Sequence, residues 1–98
     1  MPHPPSAQAV LLTEKECELC EHAKKVLQRV ATKHPLEIRT VSLDSSEGQQ
    51  LATRHQVLFA PGLLLDGKMF SYGRVSERKL RKALSRLDAA LNSQEIAQ

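Results

Sequence analysis

The hydrophobic and polar positions in the first third of the chain predict a strand followed by a helix. Residues 9–13 form a short apolar run with the length of a buried strand. After the two cysteines, apolar residues recur at helical spacing, and Pro35 marks the end of that pattern. The residues on this apolar helical face are Leu19, Ala23, Val26, Leu27 and Val30.

The middle of the chain predicts a second strand and a second helix. In residues 36–43 apolar and polar side chains alternate, and the alternation changes phase midway, which indicates a bend or a bulge. Asp44 and Glu47 then have the spacing of a capping box, so we expect a short helix that runs to about His55. Gly48 is a poor helix former inside this segment and weakens that prediction.

The last third of the chain predicts a β-hairpin and a closing helix. In GLLLDGKMFSY, residues 62–72, Asp66-Gly67 separates two apolar runs, which is typical of a tight hairpin turn. Ser76 has the position and the chemistry of an N-cap for the final helix. The apolar face of that helix consists of Leu80, Leu84, Leu87 and Leu91.

In this order the elements predict an α/β fold with a four-stranded mixed sheet and three helices on both of its faces. A crossover through the first helix is right-handed, so the first two strands run parallel, whereas the hairpin adds an antiparallel pair. We expect residues 1–8 to be a disordered leader, residues 9–91 to be a single domain and residues 92–98 to be a frayed tail. Two separate cores within 98 residues would each be too small to be stable.

Composition and charge narrow the class of function. Much of the basic excess behind the net charge of +3 lies in ERKLRKALSR, which predicts a solvated helix face, since few aromatic residues are available to stack on bases. The N-terminal segment MPHPPSAQ lacks the apolar core of a secretory signal. No apolar run approaches the roughly 18 residues of a membrane span. We therefore expect a cytoplasmic protein that binds neither nucleic acid nor membrane.

The two cysteines carry the chemistry that the sequence indicates. Cys17 and Cys20 stand at the junction of the first strand and the first helix, at a spacing that random placement produces about one time in fifty. In a reducing cytoplasm a permanent disulfide is not expected, so the pair is redox-active, metal-binding or inert. Positions i and i+3 share a helix face, and a disulfide requires Cα atoms roughly 4.4–6.8 Å apart, so the pair can be bridged.

Together with the later elements, this motif resembles the thioredoxin fold in its short, glutaredoxin-like form. The resemblance extends over about residues 9–87. The residues that carry it are Cys17-Glu18-Leu19-Cys20, Ala60-Pro61 before the hairpin, and Gly73 after it. Glutaredoxins typically have Pro-Tyr between the cysteines and a Gly-Gly pair that helps to hold glutathione. This chain has Glu18-Leu19 and Tyr72-Gly73 in those places.

The fold that is implied makes Cys17 the nucleophile and Cys20 the resolving thiol of a thiol–disulfide oxidoreductase. Unpaired N–H groups at the start of the helix favour a Cys17 thiolate, whereas the neighbouring glutamates oppose it. We therefore predict a Cys17 pKa nearer the value of about 7 in thioredoxin than the roughly 3.5 of a strong oxidant. Such a pair acts as a reductase.

The resemblance also implies a substrate-binding segment. In this family the bond before the corresponding proline is cis, so Ala60–Pro61 should be cis, with Pro61 against the cysteines and the Ala60 backbone paired with the substrate chain. Phe59 would add apolar surface. Gly73 and Arg74 would hold a carboxylate of glutathione, since backbone N–H groups and arginine suit that task.

The expected partners are protein or small-molecule disulfides and a cellular thiol reductant, with glutathione as a candidate co-substrate. We expect a monomer with no tightly bound cofactor and no bound metal. Two other functions stay open. A dimer that pools its cysteines could hold zinc, or two thiolates with two glutathiones could hold an iron–sulfur cluster, which would make the protein a metal carrier. The chain could also be a non-catalytic interaction module of the same fold.

Overall fold

The computed structural model describes residues 6–96, with side chains described to residue 87, and its elements follow the order that the sequence predicts. They are β1 (Ala7–Thr13), α1 (Glu18–Ala31), β2 (Leu36–Ser42), α2 (Ser46–His55), β3 (Gly62–Leu65), β4 (Lys68–Tyr72) and α3 (Glu77–Ile96). Within this range, none of the helices combines the length and the apolar character needed to cross a bilayer.

The four strands form one mixed sheet in the order β2-β1-β3-β4. β1 pairs with β2 in parallel, as a right-handed crossover through α1 requires. β3 is antiparallel to both of its neighbours, β1 and β4. This is the α/β architecture that the sequence predicts.

The sheet separates two hydrophobic cores, and side chains of β1 alternate between them. Ala9 and Leu11 face the core that α1 and α3 cover, whereas Leu12 faces the smaller core beside α2. Helices therefore lie on both faces of the sheet, as expected. Leu11 and Leu12 are both completely buried, and burial of a leucine side chain stabilises the fold by roughly 1.5–3 kcal/mol.

The ends of the folded region extend further than expected. β1 begins at Ala7, inside the segment 1–8 that was expected to be a leader, because residue 7 pairs with Leu36 of β2. Residues 1–5 lie outside the described part. At the other end, α3 continues to Ile96, so residues 92–96 of the expected tail are helical, and residues 97–98 lie outside the described part.

The bulge predicted in the second strand is absent, and that prediction is wrong. β2 pairs with β1 in an unbroken register from Leu36 to Ser42. Ile38 shares a sheet face with Ala9 but keeps 38% of its surface exposed, because β2 is an edge strand at the rim of the core. The register shift of this sheet lies instead between β3 and β4, at Leu63 and Leu64.

The N-cap of α2 differs from the predicted one. Ser45, not Asp44, caps the helix, since its Oγ accepts a hydrogen bond from the Gly48 N–H at 2.9 Å. Glu47 pairs with Arg39 of β2 instead of closing a capping box, with 2.6 Å between Oε1 and Nη1. The hydrogen bond from that guanidinium lowers the pKa of the Glu47 carboxyl.

Gly48 is a requirement of the tertiary structure. A Cβ at this position would collide with the backbone carbonyl of Ser42 at the end of β2. Only a glycine allows the first turn of α2 to approach the sheet this closely. The low helix propensity of glycine is therefore outweighed by a packing contact that the local sequence does not reveal.

The hairpin and the last helix begin as predicted. Asp66 and Gly67 have φ of 50° and 80°, the left-handed conformations that a two-residue hairpin turn of this type needs. The Asp66 side chain also accepts a hydrogen bond from the Gln8 N–H at 2.8 Å, which ties the turn to β1. Ser76 caps α3, with its Oγ accepting from the Lys79 N–H at 3.2 Å.

An ion-pair cluster joins α3 to α1 at the surface. Glu77 binds Arg29 of α1 at 2.8 Å and Arg81 of α3 at 2.7 Å. Hydrogen bonds from Arg29 and Arg81 hold the pKa of the Glu77 carboxyl below its ordinary value. This cluster fixes the start of α3 against the helix that carries the cysteines.

Candidate active site

The first turn of α1 positions both cysteines. Cys17 is the N-cap of the helix, with an extended backbone, and Cys20 lies in the first turn. The Cys20 N–H points at the Cys17 Sγ, with 3.1 Å between the nitrogen and the sulfur. The outer sulfur therefore takes the role that a serine or aspartate oxygen takes at an ordinary N-cap.

Cys17 and Cys20 form a disulfide, with their Cα atoms 5.2 Å apart. This distance lies within the range of roughly 4.4–6.8 Å that unstrained pairs adopt. The two residues differ in access: Cys17 is half-buried, whereas Cys20 retains only 1% of its surface. An attacking or leaving thiol can therefore reach the first cysteine, and the second is enclosed by the protein.

Carboxylates lie on both sides of the outer cysteine along the chain, in the loop after β1 and at the start of α1. Glu14, Glu16 and Glu18 are all exposed, and Glu16 has a positive φ of 53° where the loop turns into the helix. Glu21, in the following turn, pairs with Lys24 at 3.1 Å. The sequence around the outer cysteine is thus rich in carboxylates, of which Glu21 has a lysine partner.

Pro61 lies at the same edge of the sheet. Gly62 pairs with Leu12, so Pro61 is beside the carboxyl end of β1, where the cysteine loop begins. The Ala60–Pro61 bond is cis, as the resemblance implies, and Pro61 is fully buried. The Gly73 N–H donates to the Pro61 carbonyl at 2.8 Å, which joins the segment after β4 to the proline.

An exposed apolar rim accompanies this proline segment. The Phe59 ring lies against the Tyr72 ring, with centroids 6.2 Å apart, and the Tyr72 hydroxyl donates to the His55 carbonyl at 3.1 Å. Phe59 keeps 54% of its surface exposed, and Leu58 keeps 88%. Such solvent exposure of large apolar side chains at one edge of a fold is typical of a binding surface.

Two exposed apolar residues differ from the expectation from sequence. Leu19 was expected on the buried face of α1 but is 41% exposed, whereas Cys20 beside it in the first turn is buried. Leu58 was not singled out at all. The signal for it was its place before Phe59-Ala60-Pro61, in a segment that had no apolar periodicity to bury it.

Arg74 lies on another side of the site. It is exposed and lines a depression of about 320 Å³ with His22 and Arg29 of α1 and with Ser76 at the start of α3. The Nδ1 atom of His22 is buried and has no hydrogen-bond partner in the part of the chain that the structure describes. The structure thus brings Phe59, Pro61 and Gly73 together. Arg74 lies apart from them, near α1 and the start of α3.

The sequence identifies the family of this chain. The family model of the glutaredoxin-like domain (DUF836) matches residues 8–85. The chain belongs to that family. No curated protein matches the chain in sequence.

Solved structures similar to this member of the glutaredoxin-like family are thioredoxin-like. A thioredoxin-like protein from Clostridium perfringens has a TM-score of 0.70 at 17% identity, over 84% of this chain and 71% of the other. A mutant thioredoxin from Halobacterium salinarum has a TM-score of 0.66 at 21% identity, over 83% and 74%. Oxidised thioredoxin O2 from Arabidopsis thaliana has a TM-score of 0.64 at 17% identity, over 84% and 75%. These likenesses establish the thioredoxin-like fold.

This glutaredoxin-like chain offers few candidate metal ligands grouped near its cysteines in the described residues. Within residues 6–87, no three histidine, cysteine, aspartate or glutamate side chains are grouped so that they could hold a metal ion. Cys17 and Cys20 supply two thiolates, half of the four ligands of a structural zinc site. In this oxidised form neither sulfur is a free thiolate.

Proposed function

We propose that this protein is a thiol–disulfide oxidoreductase that reduces disulfides with the Cys17 and Cys20 thiols. One observation carries the proposal: the two cysteines form a disulfide across the first turn of a helix, with the outer residue accessible and the inner one buried. This asymmetry supports different roles for the two sulfurs. The thioredoxin-like fold and the glutaredoxin-like family support the same chemistry.

The reaction begins from the reduced dithiol. The Cys17 thiolate attacks one sulfur of a substrate disulfide, which forms a mixed disulfide and expels a thiolate that takes up a proton. The Cys20 thiol then loses its proton and attacks the Cys17 sulfur, which releases the second substrate thiol and closes the Cys17–Cys20 disulfide. Two electrons pass from the dithiol to the substrate, and an external thiol reductant returns them.

The helix start supplies the activation of the nucleophile. The first N–H groups of α1 have no partners within the helix, and the Cys20 N–H already points at the Cys17 sulfur at 3.1 Å. A negative charge on that sulfur strengthens the contact, since hydrogen bonds to ionised acceptors are stronger than neutral ones. Stabilisation of the thiolate enlarges the ionised fraction of Cys17 and makes Cys17 the better leaving group of the pair.

The segment before the hairpin is proposed to hold the substrate chain. The Ala60 backbone lies between the exposed Phe59 side chain and the buried cis Pro61, at the edge where β1 leads into the cysteine loop. In our proposal the Ala60 backbone pairs with the substrate backbone next to its disulfide. Phe59 covers an apolar side chain of that substrate, together with Leu58.

Arg74 is proposed to contact a glutathione carboxylate when glutathione serves as the reductant, whereas the Gly73 N–H, which the resemblance assigns to the same task, already donates to the Pro61 carbonyl at 2.8 Å. The Arg74 guanidinium is exposed and forms no ion pair within the described residues. Reduction by another cellular thiol would not need this contact. An Arg74→Gln variant tested with glutathione and with dithiothreitol separates the two routes.

Disulfide reductase turnover tests the function directly. With dithiothreitol, or with glutathione and its reductase, the wild-type protein should reduce a protein disulfide catalytically, and Cys17→Ser should abolish turnover. Cys20→Ser should trap the mixed disulfide, visible by mass spectrometry as a covalent adduct that a reductant releases. Absence of turnover together with absence of a trapped adduct would overturn the proposal, and a coloured or metal-loaded preparation would favour a carrier of metal.

A further inference from the structure

The charge near the cysteines is opposite to that of the whole chain. The chain carries a net charge of +3, yet residues 13–21 contain four glutamates and one lysine. Glu14, Glu16 and Glu18 are exposed. A local excess of one sign at the mouth of a site raises the local concentration of partners with the other sign. The redox centre therefore presents a negative surface on a basic protein.

A groove extends this negative surface away from the cysteines. It has a volume of about 730 Å³ and runs between α2 and the ends of β1 and β2. Glu14 lies on its wall after β1, and Asp44 lies on its wall after β2. None of the lining residues in the described part of the chain is a lysine, an arginine or a histidine.

Among the described residues, neither carboxylate of the groove forms an ion pair. In the described part of the chain, Glu21, Glu47 and Glu77 each pair with a lysine or an arginine at 3.1 Å or less. Glu14 and Asp44 form no ion pair there, and both are exposed. A cation from outside can therefore approach them without displacing an internal one.

The C-terminal end of α2 also favours a positively charged group in the groove. Gln56, the C-cap of α2, lines the groove, and the carbonyl end of a helix carries partial negative charge. Lys15, next to Glu14, and Arg54 and His55, in the last turn of α2, are the nearest basic residues along the chain, but none of them lines the groove. The lining is thus complementary to a positive group from each of its walls.

The groove is continuous with the proposed substrate segment. Leu58, which is 88% exposed, lines it and directly precedes Phe59-Ala60-Pro61. A substrate chain paired with the Ala60 backbone would extend past Leu58 towards Glu14 and Asp44. The residues that flank the cysteine of a substrate would therefore be the ones that occupy the groove.

We propose that this groove receives a lysine or arginine side chain next to the reactive cysteine of a peptide or protein disulfide. The protein would thus prefer substrates whose disulfide is flanked by basic residues. The inference rests on the proposed reductase function and specifies its substrate class. Glutathione disulfide, whose halves each carry two carboxylates and one ammonium group, lacks the charge that this groove fits.

The test compares three disulfide peptides of equal length whose cysteine is flanked by arginine, glutamine or glutamate. Turnover is driven by dithiothreitol at low ionic strength. Because flanking charge alters the intrinsic reactivity of a disulfide, each kcat/KM is divided by the rate constant of the same peptide with dithiothreitol alone. We expect the corrected value for the arginine peptide to exceed that for the glutamate peptide by roughly tenfold, the order of two exposed ion pairs. The ratio should fall as salt is added.

Substitution of the groove carboxylates identifies the source of the preference. The double variant Glu14→Gln with Asp44→Asn should bring the corrected arginine-to-glutamate ratio close to one. Both side chains are exposed, so the variant is expected to fold, and circular dichroism checks this. Glu37→Gln, at an exposed carboxylate on β2, is the matched control and should keep the wild-type ratio.

The outcomes separate this inference from the function on which it rests. If the glutamine peptide is not reduced at all, the reductase proposal fails. If that peptide is reduced but the arginine and glutamate peptides have equal corrected rates, only the inference is overturned. A preference that persists in the double variant would also overturn the assignment to this groove.

Discussion

The two faces of the sheet differ in how they bury apolar surface. On the face covered by α1 and α3, twelve described residues form the buried core, whereas only four do so beside α2. α1 buries five of its residues, but in α2 the one buried residue is Gly48. The first face supplies the stability of the fold. The second leaves the open groove, at the edge of the sheet where the cysteines lie.

This difference relates the redox centre to the rest of the molecule. Cys20 is buried at the start of α1, the helix that is packed most firmly, so the inner sulfur is held in place. The rim that would contact a substrate, Leu58 and Phe59, follows α2, the helix that is packed least. A firmly held inner sulfur next to a shallow, open surface suits the proposed exchange with large disulfide partners.

Truncation of a core leucine should have the largest effect on stability and should test the difference between the two faces of the sheet directly. Leu27 is completely buried between α1, α3 and the sheet, so Leu27→Ala should lower the free energy of unfolding by about 2–5 kcal/mol. Leu51→Ala, at a partly buried position of α2, should cost clearly less. Urea denaturation of both variants measures the difference, and equal losses would show that the two faces contribute alike.

Substitution of Gly48 should reveal the close contact on the weaker face. Gly48→Ala would be stabilising by helix propensity alone, but the added Cβ collides with the Ser42 carbonyl, so we expect a loss of about 1–3 kcal/mol. Gln50→Ala, at an exposed site in the same helix, is the control and should change stability by less than about 0.5 kcal/mol. A more stable Gly48→Ala protein would contradict the contact.

The ion pairs of the two faces should differ slightly in their response to acid. Hydrogen bonds from Arg29 and Arg81 lower the pKa of Glu77, and one from Arg39 lowers that of Glu47. A carboxyl with a lowered folded pKa stabilises the protein above its unfolded pKa of about 4.3, and this contribution is lost as the pH falls through the folded value.

Thermal unfolding between pH 7 and pH 3 checks this linkage. Glu77→Gln should lower the melting temperature at pH 7 and make the decline with acid less steep. Glu47→Gln should do the same to a smaller extent, because Glu47 has one guanidinium partner and is more exposed. Identical pH profiles for the wild type and Glu77→Gln would show that the cluster between α1 and α3 does not contribute.

Local patterns in the sequence determined most of the architecture. The Asp66-Gly67 turn and the Ser76 cap act through neighbours in the chain, and both were predicted correctly, as was the order of the strands and helices from the apolar periods. The spacing of Cys17 and Cys20 likewise makes a bridge across one helical turn possible from local geometry alone. Resemblance to a family, and no local pattern, pointed to the cis bond before Pro61.

Tertiary contacts decided the features that sequence reasoning missed or misplaced. Gly48 is needed because α2 approaches the Ser42 carbonyl, and Ser45 caps that helix while Glu47 turns to Arg39. Only the packing of α2 against the strand ends leaves the groove open and Leu58 in solvent. Glu14 and Asp44 are distant in the chain, but both line that groove because β1 pairs with β2. The periodicity of apolar residues shows which side of a helix or strand is apolar. Whether another element covers that side, or whether it stays exposed to solvent, is decided only when the chain folds.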